Sequence, residues 1–372
     1  VRGFGEELRA ALTAELDEIY RQVGYEFNLN SPKQLGVALF ESLVLPCRKK
    51  TKSGYSTGAE VLEDLRSIHP AVDHLLQYRT LAKLKSTYCD GLLSQVADDG
   101  RIHSTLNQTE TRTGRISSSE PNLQNIPVRR PEGREMRKLF RAKAGYVLCD
   151  ADYSQIELRV LAHIANDSNM INAFKNGIDI HTLTASQVFG VPVEGVTPTM
   201  RSRAKAVNFG IVYGIGAFSL AKDIGVTRKE AAAYIDGYLA TYPEVDKYMH
   251  RVVEQAKEDG FASTMFGRRR LLPELKNSNA MLRAFGERVA RNMPIQGTAA
   301  DIIKIAMIRV NDRLEKELPD ARLIMQVHDE LIVEAPRDQA EKACRILKEE
   351  MEGAVSLSVP LSVDAHFGDT WY

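Results

Sequence analysis

Residues 323 to 335, LIMQVHDELIVEA, set His328, Asp329 and Glu330 between two apolar runs. Leu, Ile and Val at this density, in runs too short for a helix, read as two buried strands, and the polar triplet falls where a tight turn must join them. A surface hairpin ordinarily turns on Gly or Asn. A charged tip at the end of core strands is unfavourable unless its carboxylates are paired or bound to metal, so the fold has to bring a partner to it. The segment YVLCDADYSQIELRVLAHI, from 146 to 164, repeats the problem: an apolar strand runs into Asp150 and Asp152, and a helix carrying Glu157 follows. Asp152 and Asp329 are far apart in sequence, yet they meet if their strands share a sheet. Such a carboxylate pair can bridge divalent metals and drive in-line phosphoryl displacement. Strand-end aspartates also serve as caps and turn formers, and these two segments alone leave that choice open.

Composition narrows the class without naming it. The chain has 372 residues, 44% hydrophobic and 26% charged, which is ordinary for a soluble globular protein with two or three domains. No apolar run approaches the roughly 18 residues of a membrane span. The first residue is Val, with no basic-then-apolar leader, which suggests a processed chain or a piece of a longer one. The cysteines at 47, 89, 149 and 344 have no C-x-x-C spacing, so zinc and disulfide frameworks are not expected and a reducing compartment fits. Lys plus Arg equals Asp plus Glu, 49 each, so a polyanion partner has to be read from clusters: Arg48-Lys49-Lys50, Arg129-Arg130 and Arg268-Arg269-Arg270. Each cluster is equally compatible with a solvated loop.

The chain contains no internal repeat. A helical region covers 5 to 93, with Ser31 capping a helix that begins at Pro32, a Lys/Gly/Ser/Thr loop over 48 to 58, and a long helix from about Ala71 to Leu93. Short strands and polar loops occupy 95 to 165, helices 168 to 295, and the tail returns to strand–turn–strand, a helix over 337 to 352 and a last strand. This order predicts an α+β core split by an inserted helical domain.

A third segment changes the balance for the acids. MRSRAKAVNFGIVYG places Arg201, Lys205, Phe209 and Tyr213 at steps of four, which is one helix face. Two cations followed by two aromatics make poor core and poor salt-bridge surface, because like charges at i and i+4 repel. The face suits a triphosphate beside the cations and a base or sugar on the rings.

The stretches DYSQIELR, RSRAKAVNFGIVYG and QVHDE resemble motifs A, B and C of the family A (polymerase I type) DNA polymerases, and TGRISSSEPNLQNIP and NMPIQGTAAD resemble two further stretches of that family. The similarity runs from FNLNSPKQL to the terminal FGDTWY. It implies a right-hand polymerase fold with an antiparallel-sheet palm: thumb 1–93, palm 94–175, fingers 176–280 and palm again 281–372. It implies template-directed DNA synthesis in replication and repair, with primer–template DNA and dNTPs as partners, two Mg²⁺ ions (Mn²⁺ substituting), a monomer, no membrane, and a cytoplasmic, nucleoid-associated location. Asp152 and Asp329 would hold the metals with the Tyr153 carbonyl. Arg201, Lys205 and His181 would contact the phosphates, and Lys205 would protonate the leaving pyrophosphate. Phe209 would pack on the incoming sugar and base, Tyr213 near the templating position, and Glu157, with Gln155 beside it, would exclude a 2′-hydroxyl. Arg115, Asn122, Asn292, Gln296 and His328 would lie along the minor groove or near the primer end, where base edges share acceptors. Arg48, Lys49, Lys50, Lys52 and Lys85 would grip duplex phosphates. Glu330 would lie close to the metals in a lesser role, and Asp150 is the weaker ligand candidate.

Rival readings have specific difficulties. In a single-subunit RNA polymerase, Glu157 would clash with a ribonucleotide. A catalytically dead clamp would lack one of the two metal aspartates. A two-metal nuclease leaves the Arg201-to-Tyr213 face without a task. The sequence nowhere contains the Asp-x-Glu by which the family's proofreading domain is usually recognised. Trp371, Cys149 and Met325 read as packing, and no partner can be named for His163 or His366.

Overall fold

The computed structural model describes residues 2–47, 50–51, 54–126 and 135–371. Arg48, Lys49, Lys52, Arg129 and Arg130 lie outside the described residues, and only the backbone of Lys50 is described. The chain divides into two compact units, residues 1–105 with 120–139, and residues 106–119 with 140–372.

In the first unit, α1 (Arg2–Val23) is followed by α2 (Pro32–Val37), α3 (Ala59–Leu65) and α4 (Pro70–Lys83). Ser31 caps α2 by accepting from the Gln34 N–H, with Pro32 in the first turn, as its sequence demands. Beyond α4 the chain continues through a π-helical stretch, Leu84–Asp90, to Leu93. Ile19, Leu35, Leu39, Leu62 and Leu75 fill the core. The stretch expected as a loop holds two short antiparallel strands, β1 (Lys50–Thr51) and β2 (Gly54–Tyr55).

The second unit is built on a four-stranded antiparallel sheet. Its strands are β3 (Tyr146–Tyr153), β6 (Arg322–Val327), β7 (Glu330–Pro336) and β8 (Val363–Gly368), in the order β8-β3-β7-β6. A separate hairpin pairs β4 (Phe261–Ser263) with β5 (Arg269–Leu271). Between β3 and β6 come α5 (Ile156–Ala165), α6 (Ser168–Lys175), α7 (Ile180–Phe189), α8 (Pro198–Val212), α9 (Ala217–Ile224), α10 (Arg228–Thr241), α11 (Pro243–Asp259) and the 38-residue α12 (Ala280–Glu317). The last helix, α13 (Ala340–Glu352), follows β7. Period-two alternation divides β3 cleanly. Val147, Cys149, Ala151 and Tyr153 join Leu331, Val333 and Ala335 of β7 in one core, together with Ile346, Leu347 and Met351 of α13. Asp150 and Asp152 fall on the opposite face, where Ile332 and Glu330 are their β7 partners.

The long helix α12 sets the spacing beside this sheet. A glycine in mid-helix ordinarily weakens the helix by about 1 kcal/mol relative to Ala. At Gly297 an added Cβ would stand 2.6 Å from Thr264 Cγ2 and 3.2 Å from the Thr113 carbonyl oxygen. Close approach therefore outweighs propensity. Gly297→Ala is expected to destabilise the protein by roughly 1–2 kcal/mol, the balance of overpacking against helix gain. Thermal unfolding of the two proteins measures it, and a raised Tm in the variant would contradict the packing described.

Candidate active site

The polar triplet is the hairpin tip. Val327 pairs with Glu330, so His328 and Asp329 form a two-residue turn between β6 and β7. His328 takes φ +52°, a left-handed conformation in which glycine is at ease and an L side chain is strained. Strain of this kind persists where surrounding structure over-determines it, and it gathers at functional sites. The tip adjoins β3 directly: Asp152 is the register partner of Glu330, and the Tyr153 N–H donates to the Asp329 carbonyl at 3.1 Å. The two aspartates predicted to meet are thus neighbours across one pair of strands.

The sheet face they share carries five acids with different surroundings, because Asp364 of β8 is the register partner of Asp152 on its other side. Asp150, Glu330 and Glu334 are buried, whereas Asp152 at the strand end and Asp364 are exposed. Glu330 accepts from the Trp371 indole N–H at 2.5 Å, and Glu334 accepts from the Lys143 backbone N–H at 3.0 Å. Exposure and the place beside the turn set Asp152 apart from Asp150. Burial pushes the Asp329 carboxyl above its ordinary range, and the Arg115 guanidinium pulls against that shift. Among the described residues no group of three or more His, Cys, Asp or Glu side chains is disposed to hold an ion. Two carboxylates are hard oxygen donors of the kind that suit a divalent cation whose remaining positions are filled by water or substrate oxygens.

Glu157, in the first turn of α5, is 4% exposed and is the hub of a network. Arg115 Nη2 donates to its Oε1 at 2.5 Å and the Tyr213 hydroxyl to its Oε2 at 3.0 Å. Gln296 of α12 adds a further hydrogen bond. Burial raises the Glu157 carboxyl above its usual range, with Arg115 opposing. Asn292 lies one turn before Gln296 on α12. Gln155, in left-handed conformation at φ +56°, is the N-cap of α5. Three segments distant in sequence therefore converge on one carboxylate.

Helix α8 presents the expected face. Arg201 and Lys205 are exposed, Phe209 is half-buried, and the opposite side is buried through Ala204, Val207, Asn208 and Ile211. Tyr213 is the C-cap of this helix, its N–H donating to the Phe209 carbonyl at 3.0 Å and its hydroxyl to Glu157. Phe209 and Tyr213 line a cleft of about 640 Å³ with Gly210, Ile215 and Arg288. Arg201 donates to Asp179 at 2.6 Å. His181, near the start of α7, is 2% exposed, with its ring centre 5.8 Å from that of Phe209.

Two expected DNA contacts belong to the first compact unit. Asn122 caps a 3₁₀ turn by accepting from the Gln124 N–H, and Lys85 pairs with Asp90 at 2.6 Å. Several partnerships escaped the sequence reading. Trp371 packs on Phe140 and also anchors Glu330. His163 Nδ1 accepts from the Ser358 N–H at 3.0 Å. Arg268 of the basic run is paired with buried Asp301 at 2.7 Å, and Asp301 also accepts from Thr264. The only local signal for any of these was a lone Trp near the end of the chain.

The model for DNA polymerase family A matches residues 1–372. The chain belongs to that family. It is 55% identical to DNA polymerase I of Geobacillus stearothermophilus and 52% identical to that of Bacillus subtilis, over 99% and 100% of its own length. It spans about 42% of the length of these relatives. Among solved structures it is similar to the POL domain of Pol1 from M. smegmatis in complex with DNA primer-template and dNTP, with 44% identity and a TM-score of 0.94, covering all of this chain and 66% of that one. Family A DNA polymerases use divalent metal ions. Among the described residues no helix is long and apolar enough to cross a membrane.

Removing Arg115 isolates a buried charge. Because Arg115 is itself 29% exposed, Arg115→Ala is expected to cost about 2–3 kcal/mol at pH 7, at or below the low end for a broken buried pair. A carboxyl held above its ordinary value is accommodated best when protonated. Its contribution to stability is present below the unfolded carboxylate pKa and is lost as pH rises through the folded value. The deficit of the variant should therefore shrink on acidification, and Glu157→Gln in the same chain should restore most of it. Denaturant unfolding across pH checks both; a pH-independent deficit would contradict the network.

Proposed function

We propose that this chain is the polymerase module of a polymerase I type enzyme, with thumb 1–93, palm 94–175 and 281–372, and fingers 176–280. It adds dNTPs to a primer 3′-hydroxyl under the direction of a DNA template and releases pyrophosphate. The observation that carries this reading is the meeting of Asp152 and Asp329 across β3 and β7 in a unit that also presents Arg201, Lys205 and Phe209 on one helix face. Two Mg²⁺ ions, or Mn²⁺ in their place, held by Asp152, Asp329 and the Tyr153 carbonyl, would lower the pKa of the 3′-hydroxyl and neutralise the triphosphate.

The chain's own residues have separable tasks. The primer 3′-hydroxyl loses its proton to solvent, and its oxygen bonds to the α-phosphorus as the bond from that phosphorus to the bridging oxygen breaks. Arg201, Lys205 and His181 bind the phosphates, and Lys205 gives a proton to the departing pyrophosphate. Phe209 packs against the incoming sugar and base. Tyr213, at the edge of the cleft, stacks near the templating position. Arg115, Asn292, Gln296, Asn122 and His328 contact the minor groove or the primer end, and Lys85 with the 48–52 cations holds duplex phosphates. These contacts check shape without reading sequence. Such an enzyme works as a monomer in replication and repair at the nucleoid.

Glu157 supplies the test. A buried carboxylate beneath the sugar leaves no room for a 2′-hydroxyl, and trimming it to a methyl group removes the clash. Primer extension with Mg²⁺ is expected with dNTPs and not with rNTPs in the wild type, and Glu157→Ala should raise the rATP-to-dATP efficiency ratio by orders of magnitude. A wild type that extends equally well with rNTPs would favour an RNA polymerase instead.

A further inference from the structure

Four buried side chains form a single line of hydrogen bonds ending at His181. Asn208 Nδ2 lies 2.8 Å from His181 Nδ1. Thr184 Oγ1 lies 3.1 Å from Asn208 Oδ1 and 3.3 Å from the Tyr242 hydroxyl. Asn208 and Tyr242 are 0% exposed and Thr184 1%, so these groups are shut off from bulk solvent.

The direction of the line follows from counting hydrogens. With the Asn208 carbonyl toward Thr184, Tyr242 donates to Thr184, Thr184 donates to Asn208 Oδ1, and the Asn208 amide donates to His181 Nδ1. Both hydroxyl hydrogens are used. With the amide reversed, Asn208 donates to Thr184 and Thr184 donates to Tyr242. The Tyr242 hydrogen then has no other acceptor among the described residues. A buried donor left unmade costs about 1–3 kcal/mol, enough to decide between the two. The favoured direction makes His181 Nδ1 an acceptor, which puts the ring proton on Nε2.

We propose that Asn208, oriented by Thr184 and Tyr242, is a positioning residue that locks His181 as its neutral Nε2–H tautomer, so that the ring meets the incoming triphosphate as a hydrogen-bond donor. The proposal rests on the assignment of His181 to the triphosphate site made above. The charged groups around the ring agree with a neutral donor. Burial brings His181 down to about 4, Arg201 and Lys205 push the same way, and only Asp179 opposes them. A neutral ring in the other tautomer would turn a lone pair toward the phosphates. The lock therefore distinguishes attraction from repulsion without needing an imidazolium.

Long-range ¹H–¹⁵N spectra of histidine-labelled protein at pH 7, without ligand, test the lock directly, with His181→Gln assigning the signal. The expected wild-type ring has a pyrrole-type Nε2 and a pyridine-type Nδ1. The near-isosteric Thr184→Val should move population toward the other tautomer, and Thr184→Ser should not. A wild-type ring protonated on Nδ1 or on both nitrogens, or a tautomer unmoved in Thr184→Val and Asn208→Ala alike, overturns the proposal. In steady-state extension, Asn208→Ala should raise the KM for dNTP about tenfold or more, the worth of one hydrogen bond to a charged group, and this rise should vanish in a His181→Gln background. If His181→Gln leaves the dNTP KM unchanged while the wild-type ring is Nε2–H, the triphosphate assignment falls and the tautomer lock stands.

Discussion

The pairing of β3 with β7 is the constraint on which the rest depends. Its register places Asp152 opposite Glu330 and ties the Tyr153 N–H to the Asp329 carbonyl. A slip of one residue would turn Asp150 and Asp152 into the core and Cys149 and Ala151 out of it, so the buried apolar face enforces the register. The same alternation that fills the core with Val147, Ala151, Leu331 and Val333 therefore delivers the acids to the other face. Core packing and site geometry are one requirement here. The strained His328 turn fits this account, because a relaxed Gly turn would leave nothing with a ring at the tip.

Around that pair the protein spends buried polarity with care. Three of the five acids on the sheet face are buried, and only the facing pair Asp152 and Asp364 is exposed. Glu157 shows the same economy, since its burial is tolerable only because Arg115, Tyr213 and Gln296 satisfy its oxygens. These partners come from the 106–119 segment, the end of α8 and the middle of α12. One carboxylate therefore ties all three elements together.

Much of this was legible in the sequence, for reasons that can be named. Ser31-Pro32 is a local cap signal, the four-residue steps from Arg201 are a helix period, and acids abutting Val/Ile/Leu runs are conspicuous because burying them is costly. The Trp371–Glu330, Arg268–Asp301 and Asn208–His181 partnerships were not legible. Each joins side chains that no periodicity relates, and each is set by how the elements pack. The β1–β2 pair leaves no mark in the sequence because its strands are two residues each, too short for alternation to register. Tyr213 closes the four-residue series as the C-cap of α8, its N–H still donating to the Phe209 carbonyl at 3.0 Å.

The central claim is that the carboxylates of Asp152 and Asp329 act as one unit in nucleotidyl transfer. Single-turnover incorporation of a correct dNTP into primer–template DNA with Mg²⁺, measured for Asp152→Ala and Asp329→Ala beside the affinity of each for the same DNA, tests it most directly. The account predicts that incorporation falls by orders of magnitude in both variants while DNA affinity largely survives, because phosphate contacts elsewhere carry binding. Either variant turning over near the wild-type rate would contradict it.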